Sequence, residues 1–119
     1  IFLARTGKSK AEIRQYIAHT FAYDLNFTVE SLRPHYGFDV SCQGSVPQAI
    51  VAFLDSSDYE SAIRLAISLN GDSDTIACIA GGIAAAYYKA VPQKILEFVA
   101  GKLDEELLEV VQAFEERYA

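Results

Sequence analysis

The chain has 119 residues, enough for one domain, or a part of one, with a single core. Ten Lys and Arg against sixteen Asp and Glu give a formal net charge of −6, which excludes the cationic face that a general nucleic-acid coat or an anionic-membrane binder needs. Hydrophobic residues make up 51% and charged residues 22%, excluding disorder as a description of the whole. Two cysteines are too few for a disulfide scaffold or a thiolate zinc site.

The pattern is helical almost throughout. Lys10–Phe21 carries Ile13, Tyr16, Ile17 and Phe21 at spacings of three and four, which predicts an amphipathic helix. Residues 24–37 mix Asn26, Pro34 and Gly37 with Leu25, Phe27 and Leu32. They read as a loop with one helical turn starting near Thr28, where Glu30 suits a first turn. Ser45-Val46-Pro47-Gln48 reads as a helix start, with serine as cap, proline in the first turn and glutamine returning a bond. Ala49, Ile50, Phe53 and Leu54 follow as its apolar face. Ser57-Asp58-Tyr59-Glu60 repeats the device, and Tyr59, Ile63, Ala66 and Ile67 form the next expected buried stripe, stopping at Asn70-Gly71 in a left-handed exit. Asp72-Ser73-Asp74-Thr75 opens a helix of Ile, Ala and Gly that lacks a polar face and is therefore expected to be central. Pro92 suits the start of another helix through Ala100. Asp104 begins the last, with Leu107, Val110, Val111 and Phe114 on one side and glutamates elsewhere. No β-type alternation longer than four residues occurs, so the predicted class is all-α.

Cys42 and Cys78 have small or apolar neighbours and are expected to be reduced, core or near-core thiols of a cytoplasmic protein. Ile1-Phe2-Leu3-Ala4 is too short for a secretory apolar region, and the uncharged residues 76–88 are too few to span a bilayer. His19 and His35 read as surface or packing residues.

Chemistry concentrates at Gly71-Asp72-Ser73-Asp74-Thr75, where two carboxylates and a hydroxyl begin the small-residue helix. Helix capping explains one such residue. Two buried carboxylates side by side call for a compensating cation, and their hard oxygens suit Mg²⁺. The residues alone leave capping and metal ligation both open. An EF-hand loop starting at Asp72 would need glycine where Ala77 stands and a carboxylate where Ile83 stands. An aspartyl phosphatase nucleophile would follow a strand, and none is predicted. No Gly-x-Ser-x-Gly elbow and no strand-borne phosphate loop occur.

Ser45-Val46-Pro47-Gln48-Ala49-Ile50, then Ile67-Ser68-Leu69-Asn70-Gly71-Asp72-Ser73-Asp74-Thr75-Ile76-Ala77, then the Ala/Gly helix ending in Ala86-Tyr87-Tyr88, resembles the C-terminal part of the ADP-ribosylglycohydrolase family. The resemblance covers residues 42–88 closely and the flanks loosely. It implies a compact all-α domain of which residues 1–119 are a C-terminal part of about six helices. The complete site would hold two Mg²⁺ ions, or Mn²⁺ in some members, with Asp72, Asp74 and Thr75 as ligands and Asp74 as the bridge. Asn70 stands where the family commonly has glycine. Gln43, Gly44 and Ser45 would lie beside the ADP-ribose. The implied reaction is hydrolysis of a glycosidic bond at C1″ of ADP-ribose, with an ADP-ribosylated protein side chain or small molecule as substrate.

The family's early Gly-Asp-x-x-Gly segment and later Thr-Asp-Asp run have no counterpart here. Together with the missing methionine this leads to three expectations: the chain is a section of a longer enzyme, it is inactive alone, and its exposed apolar surface is covered by the N-terminal half or a second copy. The alternative is a non-catalytic helical binding or assembly module derived from that fold.

Overall fold

The computed structural model describes residues 1–118, and these are helical with connecting turns and no strand. In chain order the helices are α1 (Phe2–Arg5), α2 (Lys10–Phe21), α3 (Val29–Leu32), α4 (Cys42–Asp55), α5 (Tyr59–Ser68), α6 (Ser73–Tyr88), α7 (Gln93–Ala100) and α8 (Glu105–Tyr118). Six are of eight residues or more, and α1 and α3 are single turns of four. The all-α class read from the sequence is the class observed. No helix is long and apolar enough to cross a membrane among the described residues.

Each helix start has a local cause. Ser9 caps α2 by accepting from the Glu12 N–H, while the Glu12 carboxylate accepts from the Ser9 N–H at 2.8 Å. Thr28 and Ser31 form the same reciprocal box at α3, as do Asp58 and Ser61 at α5. Asp104 accepts from the Leu107 N–H at 2.9 Å and so starts α8. Asn70 and Lys89 take the left-handed conformation that ends α5 and α6, with φ of 58° and 54°.

The start of α4 differs from expectation. It begins three residues before Ser45, because Ser41 is the cap and its hydroxyl accepts from the Gly44 N–H at 3.0 Å. Pro47 therefore lies inside the helix and removes one intrahelical bond, that to the carbonyl four residues back. Ser45 is buried within the helix and donates its hydroxyl to the Asp39 carbonyl at 3.0 Å.

The core is the α4–α5–α6 triangle, with α1 laid on α6 and α3 on α4. Helix α4 contributes Ile50, Val51, Ala52 and Phe53, α5 contributes Ala62 and Ala66, and α6 contributes Ile76, Ala80 and Ala84. Small side chains on α5 and α6 bring their backbones close: a Cβ on Gly81 would meet the Ile63 Cδ1 at 2.8 Å. The expected α5 stripe is corrected at one position, since Ile67 is exposed and Leu69 is buried in its place. Helix α6 is central on one side only. Asp74, Thr75, Cys78 and Gly82, at spacings of three and four, stand exposed on its other side. Both cysteines are exposed rather than near-core, Cys42 because it opens α4 and Cys78 because it faces away from α4 and α5.

The lower ends of α4 and α6 are joined by one cation. The Lys10 Nζ donates to the carbonyls of Leu54, at 3.1 Å, and of Ser56. It also lies over the rings of Phe53, Tyr88 and Tyr87, at 5.2, 5.4 and 5.8 Å from their centroids. The Tyr88 hydroxyl donates to the same Ser56 carbonyl at 2.9 Å. Helices α7 and α8 add little to this core. Leu96, Phe98, Val99, Leu107, Val110, Val111 and Phe114 all remain exposed.

Candidate functional site

At the opposite end of the triangle, the turn before α6 meets the start of α4. Asp72 occupies the position before the first helical residue of α6, yet its side chain makes no capping hydrogen bond. The backbone closes the first turn without it, with the Ile76 N–H donating to the Asp72 carbonyl at 3.0 Å. The Ser73 hydroxyl donates to the Gly71 carbonyl at 3.3 Å. The Asp74 carboxylate accepts from the neighbouring Thr75 N–H at 3.0 Å. Asp72 therefore does not cap α6, while Asp74 serves a first-turn N–H.

Asp74 titrates below the ordinary carboxylate range, chiefly through its neighbour Asp72, ahead of the N–H groups of Thr75 and of Asp74 itself. Asp72 is half-buried, and Asp74 and Thr75 are exposed. This corrects the expectation of two buried carboxylates: neither is desolvated enough for burial alone to demand a counter-cation. Hard carboxylate and hydroxyl oxygens, those of Asp72 free of a capping bond, suit Mg²⁺ or Mn²⁺ in kind. In number they make part of a site, for a hard divalent ion takes about six oxygens and no group of three or more His, Cys, Asp or Glu able to hold a metal occurs among the described residues.

Gln43, Gly44 and Ser45 sit at the start of α4. Gln43 is exposed, Gly44 half-buried and Ser45 buried with its hydroxyl used on Asp39. Ser45 holds the preceding loop in place, and Gln43 is the residue of the three most open to solvent.

Two loop residues that the sequence reading did not single out tie these pieces together. The Tyr36 hydroxyl donates to the Gly44 carbonyl at 2.6 Å. Its ring lies so close to Gly71 that a Cβ there would overlap it, with the Gly37 carbonyl 3.2 Å away on another side. The Tyr36 hydroxyl is pushed up in pKa, first by burial and then by the nearby Asp39 and Asp72 charges. Asp39 in turn lies against Gly44, where any Cβ would collide with its carboxylate. The Ser41 hydroxyl, then the Ser41 N–H at 2.8 Å, hold the Asp39 carboxyl below its ordinary range. Tyr36 and Asp39 were invisible to periodicity because they lie in an irregular loop, and the partners of Tyr36 are 8 and 35 residues away. The pairing of Gly44 with Gly71, each too crowded for a side chain, was the available signal. His19 and His35 are exposed.

A family model described as ADP-ribosylglycohydrolase matches residues 3–119. An uncharacterized protein of Archaeoglobus fulgidus is 33% identical over 99 residues, an alignment covering 83% of this chain and 30% of that protein. The chain thus spans less than a third of the length of that relative. No solved structure matches the chain.

Proposed function

Because the chain belongs to the ADP-ribosylglycohydrolase family, we propose that its acidic turn forms one part of a divalent-metal site serving hydrolysis of a glycosidic bond to ADP-ribose. The observation that carries this reading is the state of Asp72 and Asp74. They stand two residues apart at the start of α6, with no capping bond to occupy the Asp72 side chain. Asp72, Asp74 and the Thr75 hydroxyl would hold Mg²⁺ or Mn²⁺. Such a metal supplies electrophilic polarisation and orients a water and the ribose hydroxyls.

The remaining work falls to groups of this chain. Gln43 presents an exposed amide to the ligand, and Gly44 beside it is held by Tyr36, Ser41 and Asp39. Ser45, through its bond to the Asp39 carbonyl, ties the preceding loop to the start of α4, where Gln43 lies. The Asp74 carboxylate stays ionised at neutral pH, since its titration lies below the ordinary range.

The exposed faces of α7 and α8 are where we place a partner, either the rest of a longer protein or a second copy. The 30% coverage of the Archaeoglobus protein favours the former. The exposed Cys42 and Cys78 stay reduced in the cytoplasmic setting we assign. The test is release of ADP-ribose from an ADP-ribosylated substrate by the complete protein, with and without Mg²⁺. The proposal expects a metal-dependent rate that Asp74→Ala abolishes. Undiminished hydrolysis by Asp74→Ala would refute it.

A further inference from the structure

Tyr36 touches both halves of the site from a loop that belongs to neither. Its hydroxyl holds the Gly44 carbonyl at 2.6 Å, one residue after Gln43. Its ring fills the space that a side chain at Gly71 would need, one residue before Asp72. The two contacts use different parts of one rigid side chain, whose ring and hydroxyl cannot move independently. Both glycines are crowded from the 36–39 loop: Gly71 by Tyr36 and the Gly37 carbonyl, Gly44 by Asp39. The start of α4 and the turn before α6 are thus packed against the same short segment, and only Tyr36 both bonds one and packs on the other.

We infer that Tyr36 is a positioning residue that fixes the distance between the ligand-facing start of α4 and the acidic turn before α6. The division of labour is specific. The hydroxyl governs Gln43 and Gly44, and the ring governs Asp72 and Asp74. This inference rests on the functional reading above for what the two halves bind, but the coupling itself is a property of the chain.

The experiment compares Tyr36→Phe with Tyr36→Ala in the 119-residue chain. Amide hydrogen exchange is read at Ser45 and Val46 for α4, and at Ile76 and Ala77 for α6. Tyr36→Phe removes one hydrogen bond, so exchange at Ser45 and Val46 should quicken roughly five-fold while Ile76 and Ala77 keep their wild-type rates. Tyr36→Ala should quicken both segments. Unchanged exchange at α4 in Tyr36→Phe would overturn the coupling, and so would a uniform rise across α4, α5 and α6, which marks general destabilisation. Calorimetric titration with Mn²⁺ and with ADP-ribose, using the same variants in the complete protein, reads the functional half. Tyr36→Phe should weaken ADP-ribose binding several-fold with Mn²⁺ affinity kept, and Tyr36→Ala should weaken both. Equal weakening of both ligands by Tyr36→Phe would refute the division of labour. A complete wild-type protein that binds neither probe would overturn the functional reading, while the exchange pattern still decides the coupling.

Discussion

Replacing Lys10 with methionine keeps the hydrocarbon stem of the side chain and deletes only its charge. In the native chain that charge donates to the Leu54 and Ser56 carbonyls at the end of α4 and lies over three aromatic rings. After the change the Ser56 carbonyl keeps the Tyr88 hydroxyl as its donor, whereas the Leu54 carbonyl loses Lys10. One hydrogen bond from a charged donor contributes about 1.5–3 kcal/mol, and the ring contacts add about 0.5–1 kcal/mol where the cation is half-exposed. Water reaches the site of Lys10, which takes back a share of both. We expect a net loss of about 2 kcal/mol. For a chain of this length, between the size classes for which such shifts are tabulated, that lowers Tm by about 6–12 °C. Thermal unfolding followed by far-ultraviolet circular dichroism measures it. The control is Lys8→Met, which breaks only the exposed pair with Glu12 at 3.0 Å and should cost under about 0.5 kcal/mol. If Lys10→Met melted within about 2 °C of the wild type, the carbonyl and ring contacts would not be holding α2 to the α4 and α6 ends.

Gly71→Ala places a methyl group against the Tyr36 ring and should destabilise by about 1–3 kcal/mol through overpacking, read as a lower urea midpoint. A stabilised variant would show that the ring can move aside freely. Phe53→Ala, at a fully buried position in contact with Tyr87 and Tyr88, should lose about 3–5 kcal/mol in urea unfolding, and a loss under about 1 kcal/mol would contradict the placement of the core. Glu12 is lowered from 4.5 to about 2, chiefly by the Ser9 N–H and then by Lys8 and the Ser9 hydroxyl. Because its folded value lies below the unfolded one, the contribution of this box is complete above the unfolded pKa and fades as pH falls through the folded one. An NMR titration should place the Glu12 midpoint near 2, and a midpoint at its ordinary value would contradict the box.

The elements most legible in the sequence were those whose causes are local. The Ile13–Ile17 spacing marks Lys10–Phe21 as a helix, and Thr28 starts the single turn of α3 where a cap was expected. Asn70 ends α5 in the left-handed conformation because a short polar side chain tolerates it. Misreadings arose where distant contacts chose between local options. Ser45-Val46-Pro47-Gln48 has every feature of a helix start. The Ser41 hydroxyl on the Gly44 N–H and the Ser45 bond to the Asp39 carbonyl move the start upstream. An Ala/Gly helix without a polar face suggests burial all round, but α1, α4 and α5 cover one side of α6 and leave Cys78 and Gly82 exposed. The acidic turn was conspicuous as Gly-Asp-Ser-Asp-Thr. That Tyr36 lies on its glycine could not be read from spacing, since the contact crosses 35 residues of chain.

Diffraction from crystals of the complete protein grown with Mn²⁺, recorded at the manganese absorption edge, tests the central assignment most directly. The account predicts anomalous density within coordination distance, about 2.2 Å, of carboxylate oxygens from both Asp72 and Asp74, with the Thr75 hydroxyl turned toward it. A crystal with no such density, in which the two side chains instead bond the first N–H groups of α6, would contradict it.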